Sequence, residues 1–125
     1  MTWATLAVDG RMAFHDGLPE LEDLQQAVGG YVEAVDFQIS GSAATMWINE
    51  EGKLVSDPER NFKADLICPL AGDWIAGDIA LTGGVGSEGE TLGLAASQVA
   101  ELRHIDRDVH MILIGQDSTH GVVIS

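Results

Sequence analysis

The sequence predicts one domain of the α+β class, with a mostly antiparallel sheet and two helices near 18–29 and 94–104. A chain of 125 residues suffices for one hydrophobic core and is short for two. The strand-like segments are joined by turn signals, as in antiparallel hairpins, and the apolar stripe of the first helix needs a sheet face to bury it. We therefore expect a single domain over 1–125.

The amino-terminal segment predicts a β-hairpin. Residues 2–8, TWATLAV, are rich in β-branched and aromatic side chains, and the following Asp9-Gly10 is a strong two-residue turn signal. Residues 11–15, RMAFH, can return antiparallel to the first strand. These two segments form the first strand pair of the predicted sheet.

The segment 17–30, GLPELEDLQQAVGG, predicts the first helix. Its apolar residues recur at steps of three and four, which places them on one helical face: Leu18, Leu21, Leu24 and Val28. Pro19 suits a first helical turn. Gly29 suits the left-handed conformation that often follows a helix, so Gly29-Gly30 is interpreted as a helix stop and not as a phosphate loop.

Residues 31–39 and 44–49 predict two further strands, because both are rich in β-branched residues. Between 44–49 and the strand-like 53–56 lies Asn49-Glu50-Glu51-Gly52. Adjacent carboxylates of this kind occur in acid–base and metal sites, but Asn and Gly at these positions favour a type I turn, with Gly52 left-handed and closing a hairpin. The turn interpretation exposes Glu50 and Glu51 to water, where catalytic carboxylates are rarely held.

The second half of the chain shows weaker patterns of secondary structure. Residues 57–72 fit a short helix or an ordered loop, and the second half of 73–84 fits a strand. Helical spacing follows through 94–105. The apolar segments 109–115 and 121–125 predict two last strands.

Negative charge is the dominant compositional feature, with 20 Asp and Glu against 6 Lys and Arg and a net charge of −14. Nucleic acid is therefore not expected as a direct ligand. No Lys or Arg lies between Arg11 and Lys53. Two explanations stay open, a solvated surface that favours solubility and the recognition of a basic partner. The candidate residues for a protein-binding acidic face are Glu20, Glu22, Asp23, Glu33, Asp36, Glu50 and Glu51. The first three also fit helix stabilisation at the positive end of the helix dipole.

The cysteine count and the hydropathy pattern predict a cytoplasmic protein. Cys68 is the only cysteine, so no disulfide within the chain and no multi-thiolate zinc site can form. The amino terminus carries no pattern of a secretory leader, and no apolar run reaches the length of a membrane span. Membrane association is not expected.

No motif predicts a catalytic or metal site. His104, His110 and His120 with Asp106 and Asp108 match no known spacing of metal ligands, so we expect no metal and no cofactor. Cys68 stands in an apolar context without a nearby cation, which indicates an inert buried thiol. We therefore expect a protein that is not an enzyme.

A glycine-rich stretch offers the one candidate ligand loop. Residues 83–93, GGVGSEGETLG, hold five glycines and lack the Gly-Lys-Ser/Thr ending of a P-loop. We interpret them as a mobile loop that can close over a nucleotide-like molecule beside an aromatic ring. The candidate residues for this site are Trp74, Gly83, Gly84 and Gly86.

Three stretches carry a resemblance to a known family. LEDLQQAVGGYVEAV (21–35), WINEEGKLVSDPERNFKA (47–64) and DWIAGDIALTG (73–83) resemble, in order and wording, three blocks of the domain of unknown function 3846 family of small phage and mobile-element proteins. The resemblance covers roughly 1–105, and HMILIGQDSTHGVVIS (110–125) has no counterpart. It implies a phage or plasmid accessory protein and assigns no activity.

Charge and resemblance together favour a non-enzymatic interaction module that binds and modulates a host protein with a basic surface, such as a nucleic-acid-binding or defence protein. Two alternatives stay open: a protein that binds or sequesters a nucleotide-like small molecule, and a metal-dependent enzyme. Homo-oligomerisation also stays open.

Overall fold

The centre of the protein is a five-stranded sheet in which every neighbouring pair of strands is antiparallel. The computed structural model describes residues 1–55, 57–69 and 73–119. The strands are β1 (Thr2–Leu6), β2 (Met12–Asp16), β3 (Val32–Ile39), β4 (Ser42–Asn49) and β5 (Ile79–Gly83). They lie in the order β2-β1-β5-β4-β3, so β2 and β3 form the edges. The predicted α+β class is confirmed.

Two hairpins supply four of the five strands. The first turns through Asp9-Gly10, as predicted, and Gly10 has a φ of 93°. The second joins β3 to β4 through Ser40 and Gly41, with φ angles of 53° and 76°. Positive φ at both central residues matches the twist of the flanking strands in a two-residue hairpin.

Three helices accompany the sheet: α1 (Leu21–Val28), α2 (Phe62–Ile67) and α3 (Ala96–Thr119). Helix α1 ends as predicted, because Gly29 follows it with a φ of 79° and donates its N–H to the carbonyl of Gln25. It begins later than predicted. Glu20 is its N-cap residue, which leaves Pro19 outside the first turn.

The apolar face of α1 is shorter than predicted. Leu24 and Val28 are buried, whereas Leu18 and Leu21 are 42% and 59% exposed. Leu18 precedes the helix, so the helical spacing does not place it on that face. Of the four predicted positions, only Leu24 and Val28 therefore pack inward.

Helix α1 lies on one face of the sheet, and α2 and α3 lie on the other. Successive residues of a strand point to opposite faces. Met46 of β4 belongs to a buried cluster with Ala64 of α2 and Leu102 of α3. Asn49, at the opposite parity of β4, donates its side-chain N–H to the carbonyl of Val28 in α1 at 3.1 Å.

Asn61 fixes the position of α2, which lies in the segment where a short helix or an ordered loop was expected. Its side-chain oxygen accepts the N–H of Ala64 at 3.1 Å and caps the helix. Its side-chain amide donates to the carbonyls of Leu6 and Gly77, at 3.1 and 3.0 Å. Asn61 is only 1% exposed, so this network joins α2 to β1 within the protein interior.

Helix α3 replaces a predicted strand. The prediction of a strand at 109–115 was wrong, because α3 continues through this segment to Thr119. A short apolar run fits a strand or a buried helix equally well, and extending an existing helix needs no new nucleation. The strand predicted at 121–125 lies outside the described residues.

Asn49 begins the predicted turn, but no hairpin follows it. The Asn49 side chain accepts the N–H of Glu51 at 2.8 Å, and its carbonyl accepts the N–H of Gly52 at 3.0 Å. The strand predicted from residue 53 is wrong over 53–55, which are turns and bends, and Gly52 is not left-handed. The reason is topological: β3 and β5 occupy both edges of β4, so no returning strand can pair there.

Among the residues that the structure describes, no helix has both the length and the hydrophobicity needed to cross a membrane.

Candidate functional site

The acidic residues selected from the sequence are all exposed. They occupy three places, the start of α1, the edge strand β3 and the turn after β4. In that order they are Glu20, Glu22 and Asp23, then Glu33 and Asp36, then Glu50 and Glu51.

The sheet separates Glu33 from Asp36. Asp36 pairs with Thr45, on the face that α1 covers, whereas Glu33 lies three residues away and therefore points to the opposite face. The predicted acidic face is thus reduced by one member. We call the remaining set the acidic surface: Glu20, Glu22, Asp23, Asp36, Glu50 and Glu51.

The acidic surface has two dense ends. One end is the entry to α1. The other is the turn after β4, where the N–H of Glu50 donates to the carbonyl of Tyr31, just beyond the end of α1. Since α1 has 8 residues, the two ends are separated by about 12 Å along the helix axis.

No carboxylate of the acidic surface forms an ion pair with any residue in the described ranges. The five ion pairs found there join Arg11 to Asp9, Lys53 to Asp73, Arg60 to Asp65, Lys63 to Asp106 and His104 to Asp108. Two members have a local role in a capping box at the first turn of α1. The Asp23 carboxylate accepts the backbone N–H of Glu20 at 2.9 Å, and the Glu20 side chain accepts the backbone N–H of Asp23. The negative field of these six groups is therefore not neutralised within the described chain.

The glycines of the candidate ligand loop are explained by close packing. A side chain at Gly83 would collide with the carbonyl of Gly93, and one at Gly84 would approach the Cβ of Ala43 to 2.8 Å. The loop is folded on itself, since Gly86 donates its N–H to the carbonyl of Glu90 at 2.8 Å. The close contacts account for Gly83 and Gly84 without a ligand.

The structure does not bring Trp74 to these glycines. Trp74 precedes β5, and its ring lies 5.0 Å from the ammonium of Lys53. Gly83 and Gly84 lie at and beyond the other end of β5, about 13 Å along the strand from its first residue. Gly84 instead lines a depression of about 470 Å³ together with Asp36.

A cavity of about 710 Å³ lies at the turn between β1 and β2. Its lining comes from the hairpin, from all three helices and from the segment before β5. The lining residues that carry charge are Asp9, Arg11, Lys63, Asp78 and Asp106. The sequence did not predict this site, because its members are distant along the chain and no motif joins them.

Lys63 is the buried charge of this cavity. It is 4% exposed, and its ammonium donates to the carbonyl of Gly10 at 2.6 Å and to the carboxylate of Asp106 at 2.5 Å. A buried ammonium is stable only with such partners. Lys63 therefore connects α2, the first hairpin turn and α3.

Two carboxyl groups and the thiol have shifted pKa values. The backbone N–H of Arg11, which donates to Asp9, lowers the pKa of Asp9, and its guanidinium adds to the effect. The hydrogen bond from Lys53 lowers the pKa of Asp73. Burial raises the pKa of the Cys68 thiol, which suits the inert thiol predicted from the sequence.

Within the described ranges, no group of three or more His, Cys, Asp and Glu residues is placed to hold a metal ion. His104 pairs with Asp108 at 3.2 Å, one helical turn away. The side chain of His110 and all of His120 lie outside the description.

These features define a small single-domain α+β protein, with an antiparallel sheet, helices on both faces and an acidic surface beside α1. A family model for a domain of unknown function, DUF3846, matches residues 5–106, and the chain belongs to this family. The match ends within α3, in agreement with the expected lack of a counterpart for 110–125. Comparisons with curated proteins and with solved structures found no match.

Proposed function

We propose that the protein is a non-enzymatic interaction module of phage or plasmid origin, which binds and modulates a host protein with a basic surface in the host cytoplasm. One observation carries the proposal: the six carboxylates of the acidic surface are exposed and form no ion pair with the described residues. Solvation explains the same charges, so the test must separate recognition from solubility.

The geometry suits a partner that otherwise contacts nucleic acid. Carboxylates at both ends of α1 present negative charge over about 12 Å, which is comparable with the range of electrostatic attraction at about 0.1 M salt. Such a field accelerates encounter with lysines and arginines and competes with phosphate groups for them. The affinity should therefore fall as the salt concentration rises.

The proposal assigns no catalysis to Glu50 and Glu51. Both lie exposed on a turn whose backbone is held by Asn49, and neither forms an ion pair among the described residues. Catalytic carboxylates are usually held by burial or by close charged partners. Replacing both by Gln should leave any measured activity within a few-fold, apart from the loss of electrostatic affinity.

The test begins with capture of partners from host lysate by the full chain. The affinity of a purified partner is then measured at about 0.1 M and about 1 M salt, where the Debye lengths are about 10 and about 3 Å. Glu50→Gln with Glu51→Gln should weaken binding at low salt. Glu101→Gln with Asp108→Asn removes equal charge from α3, on the opposite face of the sheet from α1, and should not. Binding that ignores both salt and the first pair of substitutions would refute the acidic-surface mechanism.

A further inference from the structure

The cavity at the β1–β2 turn carries an excess of one negative charge. Its lining contains the carboxylates of Asp9, Asp78 and Asp106 and the cations of Arg11 and Lys63. Arg11 is paired with Asp9 at 2.7 Å, and Lys63 with Asp106 at 2.5 Å. The third carboxylate, that of Asp78, forms no ion pair within the described ranges.

Asp78 is held in place by the backbone. One of its carboxylate oxygens accepts the N–H of Val8 at 2.9 Å, at the start of the hairpin turn. A carboxylate has two oxygens and about four acceptor positions, so this bond leaves most of its capacity free. Asp78 thus presents a fixed negative charge to the cavity.

The rest of the wall is largely apolar. Leu6 and Met12, which pair across the hairpin, line the cavity together with Ala7, Ala13 and Ala27. Leu6 is fully buried and faces the core together with Met12, so the apolar wall on the α1 face is formed by Ala13 and Ala27. A cavity of about 710 Å³ with an apolar wall and a few placed polar groups has the size and composition of a small-molecule site.

We propose that this cavity binds a small organic cation, an ammonium or guanidinium group on a short apolar body. The cation lies against Asp78 and the body against Ala13 and Ala27. An anion is disfavoured, because the ammonium of Lys63 already donates to Gly10 and Asp106 and the guanidinium of Arg11 is held by Asp9. This site is independent of the acidic surface and does not rest on the proposed function.

The test compares three probes of similar shape by amide chemical shifts of the full chain: benzylammonium, benzyl alcohol and phenylacetate. Benzylammonium should give saturable shifts at Ala7, Gly10 and Asp78, and the other two should bind at least about tenfold more weakly, the scale expected for losing a charge-assisted hydrogen bond. Asp78→Asn keeps an oxygen acceptor for Val8 and should weaken benzylammonium about tenfold. Asp16→Asn, at the far end of the hairpin and outside the lining, should leave it unchanged.

A further probe identifies the source of the cation, and a second variant keeps the test valid if Asp78→Asn fails to fold. Nα-acetyl-lysine methylamide carries the same ammonium with peptide groups on both sides, so tighter binding than benzylammonium assigns the site to a protein side chain, and weaker binding to a free amine. Ala27→Met fills the cavity without changing its charge and should also weaken benzylammonium. Equal or tighter binding of phenylacetate, no saturable binding of either amine, or full binding by a folded Asp78→Asn variant would overturn the proposal.

Discussion

Removing Asp106 should destabilise the protein more than removing Lys63, although the two residues form one ion pair. Lys63 is 4% exposed, whereas the side chain of Asp106 is 36% exposed. Asp106→Ala leaves a buried ammonium with the carbonyl of Gly10 as its remaining partner. Lys63→Met leaves a carboxylate that water can reach and keeps an apolar side chain in the space. The cost depends on which charge is left buried.

The expected magnitudes follow from this asymmetry. Loss of one partner of a buried pair costs about 3–5 kcal/mol, and we expect about 3 kcal/mol for Asp106→Ala because its carboxylate is partly hydrated. For Lys63→Met we expect about 1–2 kcal/mol, which is the cost of the lost hydrogen bonds. The double variant should be more stable than Asp106→Ala alone, since it no longer buries an unpaired charge.

Urea unfolding followed by circular dichroism measures these free energies, and a double-mutant cycle gives the coupling between the two sites. A matched control is Asp108→Ala, two residues further along α3, where the side chain is 58% exposed and should contribute less than about 1 kcal/mol. Two outcomes would contradict this asymmetry: a larger loss of stability from Lys63→Met than from Asp106→Ala, or a double variant less stable than Asp106→Ala.

Three further predictions concern the interior and the titrating groups. Asn61→Ala should lose about 2–3 kcal/mol in urea unfolding, because it removes a helix cap and takes the amide donor from the buried carbonyl of Leu6 and the half-buried carbonyl of Gly77, and Asn61→Asp should restore the cap alone. Cys68 should react with a thiol reagent at least about a hundredfold more slowly in the native state than in urea, since it is buried with a raised pKa. Asp9 and Asp73 have lowered native pKa values, so the stability they contribute is present above about pH 4 and lost as the pH falls through those values. The melting temperature should fall on that acidic side, and less steeply in Asp73→Asn.

Features set by a few adjacent residues were predictable from the sequence. Asp9-Gly10 produced the first hairpin and Gly29 ended the first helix, because each depends on local backbone conformation. Features set by distant neighbours were not. Residues 53–55 resemble a strand, but both edges of β4 are already paired. Residues 109–115 resemble a strand equally well, but they extend a helix already formed.

The acidic surface was likewise predictable from local sequence, whereas the cavity at the β1–β2 turn was not. Exposure of the acidic residues followed from their type and from their places at a turn, on an edge strand and in a first helical turn. The sequence also places Glu33 and Asp36 on opposite faces once 31–39 is taken as a strand, because residues three apart in a strand point to opposite faces. The cavity around Lys63 was not predictable, because Gly10, Asp78 and Asp106 approach it only through the packing of four separate segments.

The most direct test of the proposed function is the salt dependence of partner binding, measured as the slope of log Kd against log salt. The unmodified chain is compared with a variant that carries Gln or Asn at all six positions of the acidic surface. The Kd of the unmodified chain should rise steeply with salt, and the variant should bind more weakly with a flatter slope. Equal affinities with equal slopes in two folded proteins would contradict the acidic-surface mechanism.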